Sequence, residues 1–159
     1  MLNGHKAVVV GAPWATHLIV TARTDGPADS SQGISVFLFG KDTPGIHTTD
    51  FPTVDGLRAS ELRFENVEVP ADCLMGSEGA ALPLIEQVID EATAALCAEA
   101  VGCMRRLHEG TLDYARQRRQ FGVPIASFQV LQHRMVDMYI ALEQSVSMTY
   151  LATLSLDAP

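Results

Sequence analysis

Between Ile85 and Tyr114 the apolar positions advance by threes and fours: Ile85, Ile89, Ala92, Leu96, Ala100, Cys103, Leu107, Thr111 and Tyr114. That spacing is one face of a long α-helix, and few folds accommodate such a rod. At about 1.5 Å per residue, a helix from near Pro83 to Arg118 spans roughly 50 Å. Ser77 is a candidate cap for its start, Pro83 is tolerated only near the first turn, and Gly122 and Pro124 stop it. A second stripe follows at Phe128, Leu131, Met135, Met138, Leu142, Val146 and Thr149. The connection is short, so the two helices should form an antiparallel hairpin. Two such stripes outrun the surface of a small β unit, which calls for further helices and predicts self-association.

Upstream the period is different. Short runs rich in Val, Ile and Phe, at Lys6–Val10, His17–Ala22, Ile34–Phe39 and Glu61–Val69, are separated by Gly, Pro and Asp and read as strands. The polar stretch Thr24–Gln32 reads as a strand connection, and Asp42-Thr43-Pro44-Gly45 as a tight turn. Four strands do not readily close a barrel. The expected fold class is α+β: an antiparallel β portion over residues 1–72, then a long antiparallel helical hairpin over residues 73–159.

With 159 residues, 47% of them hydrophobic, the chain has the length and composition of a globular protein with a sizeable core. Its 19 acidic against 11 basic side chains, a formal charge of -8, argue against general nucleic-acid or anionic-membrane binding, which would need a basic face. Five of the six arginines in the second half nevertheless fall between Arg105 and Arg119, which leaves room for a local anion site. Cys73, Cys97 and Cys103 lack CxxC spacing and fit reduced thiols in a cytoplasmic protein. No signal peptide and no membrane span are read in the sequence.

Several residue types that often carry chemistry have ordinary explanations here. His5, His17, His47, His108 and His133 show no metal-ligand spacing, so no metal site is expected. No GxGxxG follows a strand. Met135 and Met138 read as core filler, and Ser60 and Ser77 lack a paired His and acid. Glu86, Asp90 and Glu91 read first as a solvated helix face.

The stretch Tyr114–Gln129 between the helices is more informative. Arg116, Arg118 and Arg119 at a helix C-terminus are partly explained by the helix dipole. Accompanied by Gln120, Phe121, Gly122 and Gln129, they also suit phosphate or pyrophosphate recognition, for which a guanidinium offers a fork of charged donors.

The block Arg118-x-Gln120-Phe121-Gly122-x-Pro124-Ile125-x-x-Phe128-Gln129, followed by Met135-x-Asp137-Met138, resembles the acyl-CoA dehydrogenase family. Collinear similarities run upstream through Leu2-Asn3-Gly4-x-Lys6, Ala22-Arg23-Thr24, Gly33-Ile34-Ser35-x-Phe37-Leu38, Lys41-Asp42-Thr43-Pro44-Gly45, Phe64-x-Asn66-Val67-x-Val69-Pro70 and Gly76-x-Glu78-Gly79. The resemblance implies a middle β domain, of which residues 1–72 are the later part, and a C-terminal four-helix bundle, of which residues 73–159 supply the first two helices. It also implies α,β-dehydrogenation of acyl-CoA thioesters: a carboxylate removes the α-proton, the β-hydride passes to FAD, and electron-transferring flavoprotein reoxidises the flavin.

Carried over by position, Arg118, Gln120 and Phe121 match residues that contact the FAD pyrophosphate and adenine side across a dimer interface. Gln129 matches a helix-start position near the same cofactor end, and Asp90 one near the acyl-CoA channel. The departures are equally specific. Val8 and Val10 stand where relatives often place an aromatic ring and a hydroxyl against the flavin. Ala92 stands where one subgroup carries its catalytic Glu, and Thr93 where many have a CoA-contacting Arg. Glu91 is rotated by about 100° from the Ala92 position and is a poor substitute. The commoner catalytic Glu lies beyond Pro159, so no catalytic residue is assigned within this chain. The Gly56–Leu62 stretch is shorter than usual, and the Ala95–Ala100 run is similar to bacterial members found as the smaller subunit of a two-gene dehydrogenase. Three readings stand: part of an FAD-dependent acyl-CoA dehydrogenase, inactive alone and with weak or absent FAD binding; a non-catalytic assembly subunit, homo- or hetero-oligomeric; or an interaction module outside the family.

Overall fold

In the computed structural model, which describes residues 1–156, the chain divides into two compact units, the second beginning at Glu86. The first holds six strands: β1 (Leu2–Val10), β2 (His17–Arg23), β3 (Ile34–Gly40), β4 (Ile46–Pro52), β5 (Arg58–Val67) and the two-residue β6 (Leu74–Met75). They form two antiparallel three-stranded sheets, ordered β1-β5-β4 and β2-β3-β6. Alternation along β5 sends Leu62 and Phe64 inward and Arg63 and Glu65 to solvent, as a half-buried strand requires. The core is Leu18, Val20, Phe39, Leu62, Phe64 and Val67, with the Phe39 and Phe64 rings edge to face at 6.5 Å.

β4 was not among the strands expected from sequence. Only its Ile46 and Phe51 are half-buried while the rest is exposed, so an edge strand of this kind carries no clear apolar alternation. It follows the expected turn, closed by Thr43 N–H donating to the Gly40 carbonyl at 3.2 Å. The Thr24–Gln32 connection is gathered around one side chain. The Arg23 guanidinium donates to the carbonyls of Gln32 and Ser30, both at 2.8 Å, and Ala28 at 3.2 Å. Gly33 closes it with φ 83°, where a Cβ would lie 1.9 Å from the Asp25 carbonyl oxygen, so no other residue fits. Fully buried Ser35 shares a 2.8 Å hydrogen bond with the Thr24 hydroxyl and accepts the Gly79 N–H at 2.8 Å.

β1 is irregular. Its register with β5 shifts between Lys6 and Val9, and Val8 takes φ 51°, an unusual conformation for a β-branched residue. Its N–H donates to the Glu61 carboxylate at 3.4 Å. The β4–β5 turn is tight: Leu57 N–H and the Thr53 hydroxyl both donate to the Asp55 carboxylate, and Gly56 adopts φ 84°.

The second unit holds most of α1 (Leu82–Gln117) and all of α2 (Gln129–Ser155). Pro83 lies in the first turn of α1, as it must. Ser77 is not the cap: the Ala81 carbonyl accepts the first helical bond, from Ile85 N–H at 3.0 Å. Hydroxyls along α2, at Ser145, Ser147, Thr149, Thr153 and Ser155, donate to carbonyls four residues back, which keeps these polar residues compatible with the helix.

His108 of α1 stacks at a tilt on Tyr139 of α2, ring centroids 5.6 Å apart, and one depression is lined by His108 and Leu112 with Gln132, Met135, Val136 and Tyr139. Rising numbers on α1 meet falling numbers on α2, so the pair is antiparallel. The α2 stripe buries Leu142 and half-buries Leu131, Met135, Val146 and Thr149 as expected, while its other two members, Phe128 and Met138, are exposed. On α1 a different stripe is covered: Ala94 and Ala115 are buried, and Cys97, Val101, Met104, His108 and Leu112 half-buried. Ile89, Leu96, Leu107 and Tyr114, assigned to the packed face from sequence, are 56–66% exposed. The physical reason is that α1 is apolar on two sides, and a stripe read from sequence does not say which side its first partner takes.

Candidate functional site

The helix connection is built by local hydrogen bonds. α1 ends where Arg118 N–H donates to the Tyr114 carbonyl at 2.8 Å, and Arg119–Gln120 (β7) then pairs with Val123–Pro124 (β8). Phe121 at φ 55° and Gly122 at φ 82° turn the chain, two successive left-handed residues of the kind a two-residue hairpin needs. The Arg119 guanidinium donates to the Gly122 carbonyl at 2.9 Å, and Ile125 N–H donates to the Arg118 carbonyl at 2.8 Å. A short helical turn, Ile125–Ser127, leads into α2, where Gln132 Nε2 donates to the Ala126 carbonyl at 2.8 Å.

This frame sorts the three arginines. Arg116 pairs with Asp113 at 3.8 Å and Arg119 is bound into the turn, whereas Arg118 has no side-chain partner among the described residues. Gln120 and Gln129 also lie exposed, without side-chain hydrogen bonds among the described residues. Phe121 is 91% exposed. The connection therefore offers one free guanidinium and two carboxamides on a fixed backbone, a donor set that fits a pyrophosphate.

Asp90 is not part of this constellation. It lies on α1, 28 residues before Arg118 just past the helix end, a separation of about 42 Å along the axis. Around it, Glu91 accepts a hydrogen bond from Gln87 Nε2 at 2.9 Å, the Thr93 hydroxyl donates to the Ile89 carbonyl at 2.7 Å, and Ala92 presents a methyl group. On the β unit, Val8 and Val10 are 56% and 60% exposed and offer neither a ring nor a hydroxyl to a flavin. The residues present thus fit the phosphate end of FAD and not its isoalloxazine end.

A second polar constellation escaped the sequence reading. On the outer face of the β1-β5-β4 sheet, His5 contacts Glu61, His47 lies 3.6 Å from Glu65, and Arg63 lies between the two histidines in register. With Thr49 they line a shallow depression of about 520 Å³. These residues come from three strands, and only the pairing register brings them together. No group of three or more His, Cys, Asp or Glu among the described residues is arranged to hold a metal ion.

The family model "Acyl-CoA dehydrogenase, middle domain" matches residues 1–67, and "Acyl-CoA dehydrogenase, C-terminal domain" matches residues 82–158. The chain belongs to the acyl-CoA dehydrogenase family. Among relatives in this family, a mitochondrial 2-methylacyl-CoA dehydrogenase of Solanum tuberosum is 39% identical over 153 residues, covering 94% of this chain and 37% of the relative. The solved structure of PigA with FAD and proline has a TM-score of 0.91 at 36% identity, covering 98% of this chain and 41% of that one. A glutaryl-coenzyme A dehydrogenase in complex with glutaryl-CoA has a TM-score of 0.85 at 29% identity, covering 96% and 39%. The chain thus spans about two-fifths of the length of the acyl-CoA dehydrogenases it matches. No helix among the described residues is long and apolar enough to cross a membrane.

Proposed function

We propose that this chain is a portion of an FAD-dependent acyl-CoA dehydrogenase, with residues 1–72 serving as the later part of the middle β domain and residues 73–159 as the first two bundle helices. Its role is to supply the cofactor-side contacts of Arg118, Gln120, Phe121 and Gln129. The observation that carries this reading is the unpaired Arg118 guanidinium on a hydrogen-bonded turn, an arrangement the helix dipole alone does not require. FAD, when bound, supplies the hydride acceptor; this chain's residues hold its pyrophosphate and adenine side. Asp90 is assigned to the acyl-CoA side. The assigned partners are an acyl-CoA, electron-transferring flavoprotein and further copies or subunits, in the cytoplasm, where the free thiols of Cys73, Cys97 and Cys103 are stable.

The second reading is a non-catalytic assembly subunit, favoured by the Ala92 methyl at the only family base position present. Purification decides between them. A yellow protein with flavin absorbance, when the chain is purified together with the polypeptide encoded on either side of it, supports the first reading, and a longer protein that stays colourless yet still forms dimers supports the second.

A further inference from the structure

The Leu2-Asn3-Gly4 run of β1 carries chemistry that the cofactor contacts do not use. An asparagine followed by glycine is the pair most open to attack of the following backbone nitrogen on the side-chain carbonyl carbon, because glycine places no Cβ beside the new bond. Both residues are exposed, so water reaches them. Gly4 takes φ 154°, and no atom beyond its chain neighbours lies within 4 Å of where its Cβ would stand. Nothing steric on its own strand therefore shields the Asn3 carboxamide. What engages it comes from β5, 63 positions along the chain. Asn3 Oδ1 accepts the Asn66 N–H at 2.8 Å, and Asn3 Nδ2 donates to Asn66 Oδ1 at 3.2 Å. Asn66 sits at φ 51°, a left-handed conformation that asparagine tolerates, where the β1–β5 register shifts between Leu2 and Gly4. The shift leaves Glu65 and Asn66 opposite Asn3 alone, which brings both the N–H and the side chain of Asn66 to the carboxamide.

We infer that Asn3 is a deamidation site of this protein and that Asn66 is the residue that guards it. In the step, the Gly4 nitrogen bonds to Asn3 Cγ, the Cγ–Nδ2 bond breaks, and the Gly4 amide proton leaves with the amino group as ammonia. One water then opens the succinimide at either carbonyl, giving aspartate or isoaspartate, and nothing is oxidised or reduced. Attack needs the carboxamide turned along its own strand towards the Gly4 nitrogen, whereas the two bonds to Asn66 hold it across the ladder. The guard is conformational, and it fails when β1 parts from β5. The two products differ in consequence. Aspartate keeps an oxygen for the Asn66 N–H. Isoaspartate runs the main chain through the former side chain and adds a carbon between Leu2 and Gly4, so the Leu2–Val67 and Gly4–Phe64 pairings cannot both persist. Leu2, which packs against the core of the β unit, is the residue such a change releases.

The test follows the peptide containing Asn3 by mass spectrometry, resolving aspartate from isoaspartate, in the protein purified together with the polypeptide encoded on either side. Denaturant parts the two strands and should speed ammonia loss at Asn3 at least roughly tenfold over the native protein. Asn66→Gly accepts the left-handed backbone and removes only the side-chain acceptor. It should speed the loss in the native protein about two- to tenfold, the range that one net hydrogen bond supplies. Asn66→Asp keeps an acceptor for Nδ2 and should stay close to the native rate. Amide exchange at Leu62, which pairs with both Lys6 and Thr48, reports whether the strands themselves have loosened. Faster exchange there alongside faster ammonia loss in Asn66→Gly would assign the protection to strand pairing and overturn the role of Asn66. Equal rates in native and denatured protein, no acceleration in Asn66→Gly, or ammonia loss at Asn66 instead of Asn3 overturns the inference as well.

Discussion

Phe121 and Phe128 meet edge to face across the helix connection, ring centroids 6.2 Å apart and planes at 85°, although Phe121 is almost fully exposed. The contact braces a turn whose first left-handed residue is not glycine. Phe128→Ala should therefore loosen the connection more than its own area suggests, by about 0.5–1.5 kcal/mol beyond simple burial. Thermal unfolding of the variant beside Phe128→Leu measures this, and equal melting temperatures would remove the ring pair from the account.

FAD should bind this chain weakly or not at all, because Val8 and Val10 leave the isoalloxazine without stacking or a hydroxyl donor. Titration yielding stoichiometric, submicromolar binding would refute this. Where binding is measurable, Arg118→Ala should weaken it by about 1.5–3 kcal/mol, the range for a hydrogen bond to a charged group. Arg116→Ala, which removes a side chain already paired with Asp113, should have the smaller effect.

The chain alone should not dehydrogenate acyl-CoA. A general base contributes on the order of a hundred- to ten-thousand-fold in rate, and the methyl of Ala92 accepts no proton. Incubation with FAD, short and long acyl-CoAs and an artificial electron acceptor tests this directly. Turnover lost in Glu91→Gln would place the base on the neighbouring helix face; turnover indifferent to that change would locate it elsewhere.

Asp55 gives the β4–β5 turn an acid sensitivity. Hydrogen bonds from the Thr53 hydroxyl and then the Leu57 N–H hold its carboxyl below the usual 3.8. A pKa depressed by folding stabilises the fold above the unfolded value and loses that contribution as the pH falls through the folded one. The protection of the Leu57 amide, taken relative to its intrinsic exchange rate at each pH, should therefore fall below about pH 3.8 in the native chain and stay constant with pH in Asp55→Asn. An identical pH profile in both proteins would dissociate the carboxylate from the turn.

The outward stripe of α1 predicts association. Ile89, Leu96, Leu107 and Tyr114, each more than half exposed, line up along one face of the helix, and a contiguous apolar row of this kind marks an interaction surface. Sedimentation at tens of micromolar should show oligomers, and a monodisperse monomer would count heavily against this expectation.

Both helices, the antiparallel β character of the first half and the collinear family blocks were legible in the sequence because each depends on local period or turn chemistry. The β4 strand was not, since an edge strand solvated on most sides lacks the alternation that betrays a buried one. Which side of α1 meets α2 was also hidden, because Ala94, Cys97, Val101 and Met104 form a stripe as good as Ile89, Leu96 and Leu107. In the candidate site, Arg118 is marked by its motif, but its distinction from Arg116 and Arg119 rests on which guanidinium is already engaged, a matter of folded geometry. The His5, Arg63 and His47 row belongs to the pairing register and has no signature along the chain.

The unbroken run of α1 from Leu82 to Gln117 works as a ruler. The helix is continuous between Asp90 and the Arg118 turn, so within one protomer a molecule held by one cannot be held by the other unless it is nearly as long as the helix itself. The two ends of α1 must therefore serve different ligands or different stretches of a very extended one. A substitution at either end should be felt by one binding event and go unnoticed by the other.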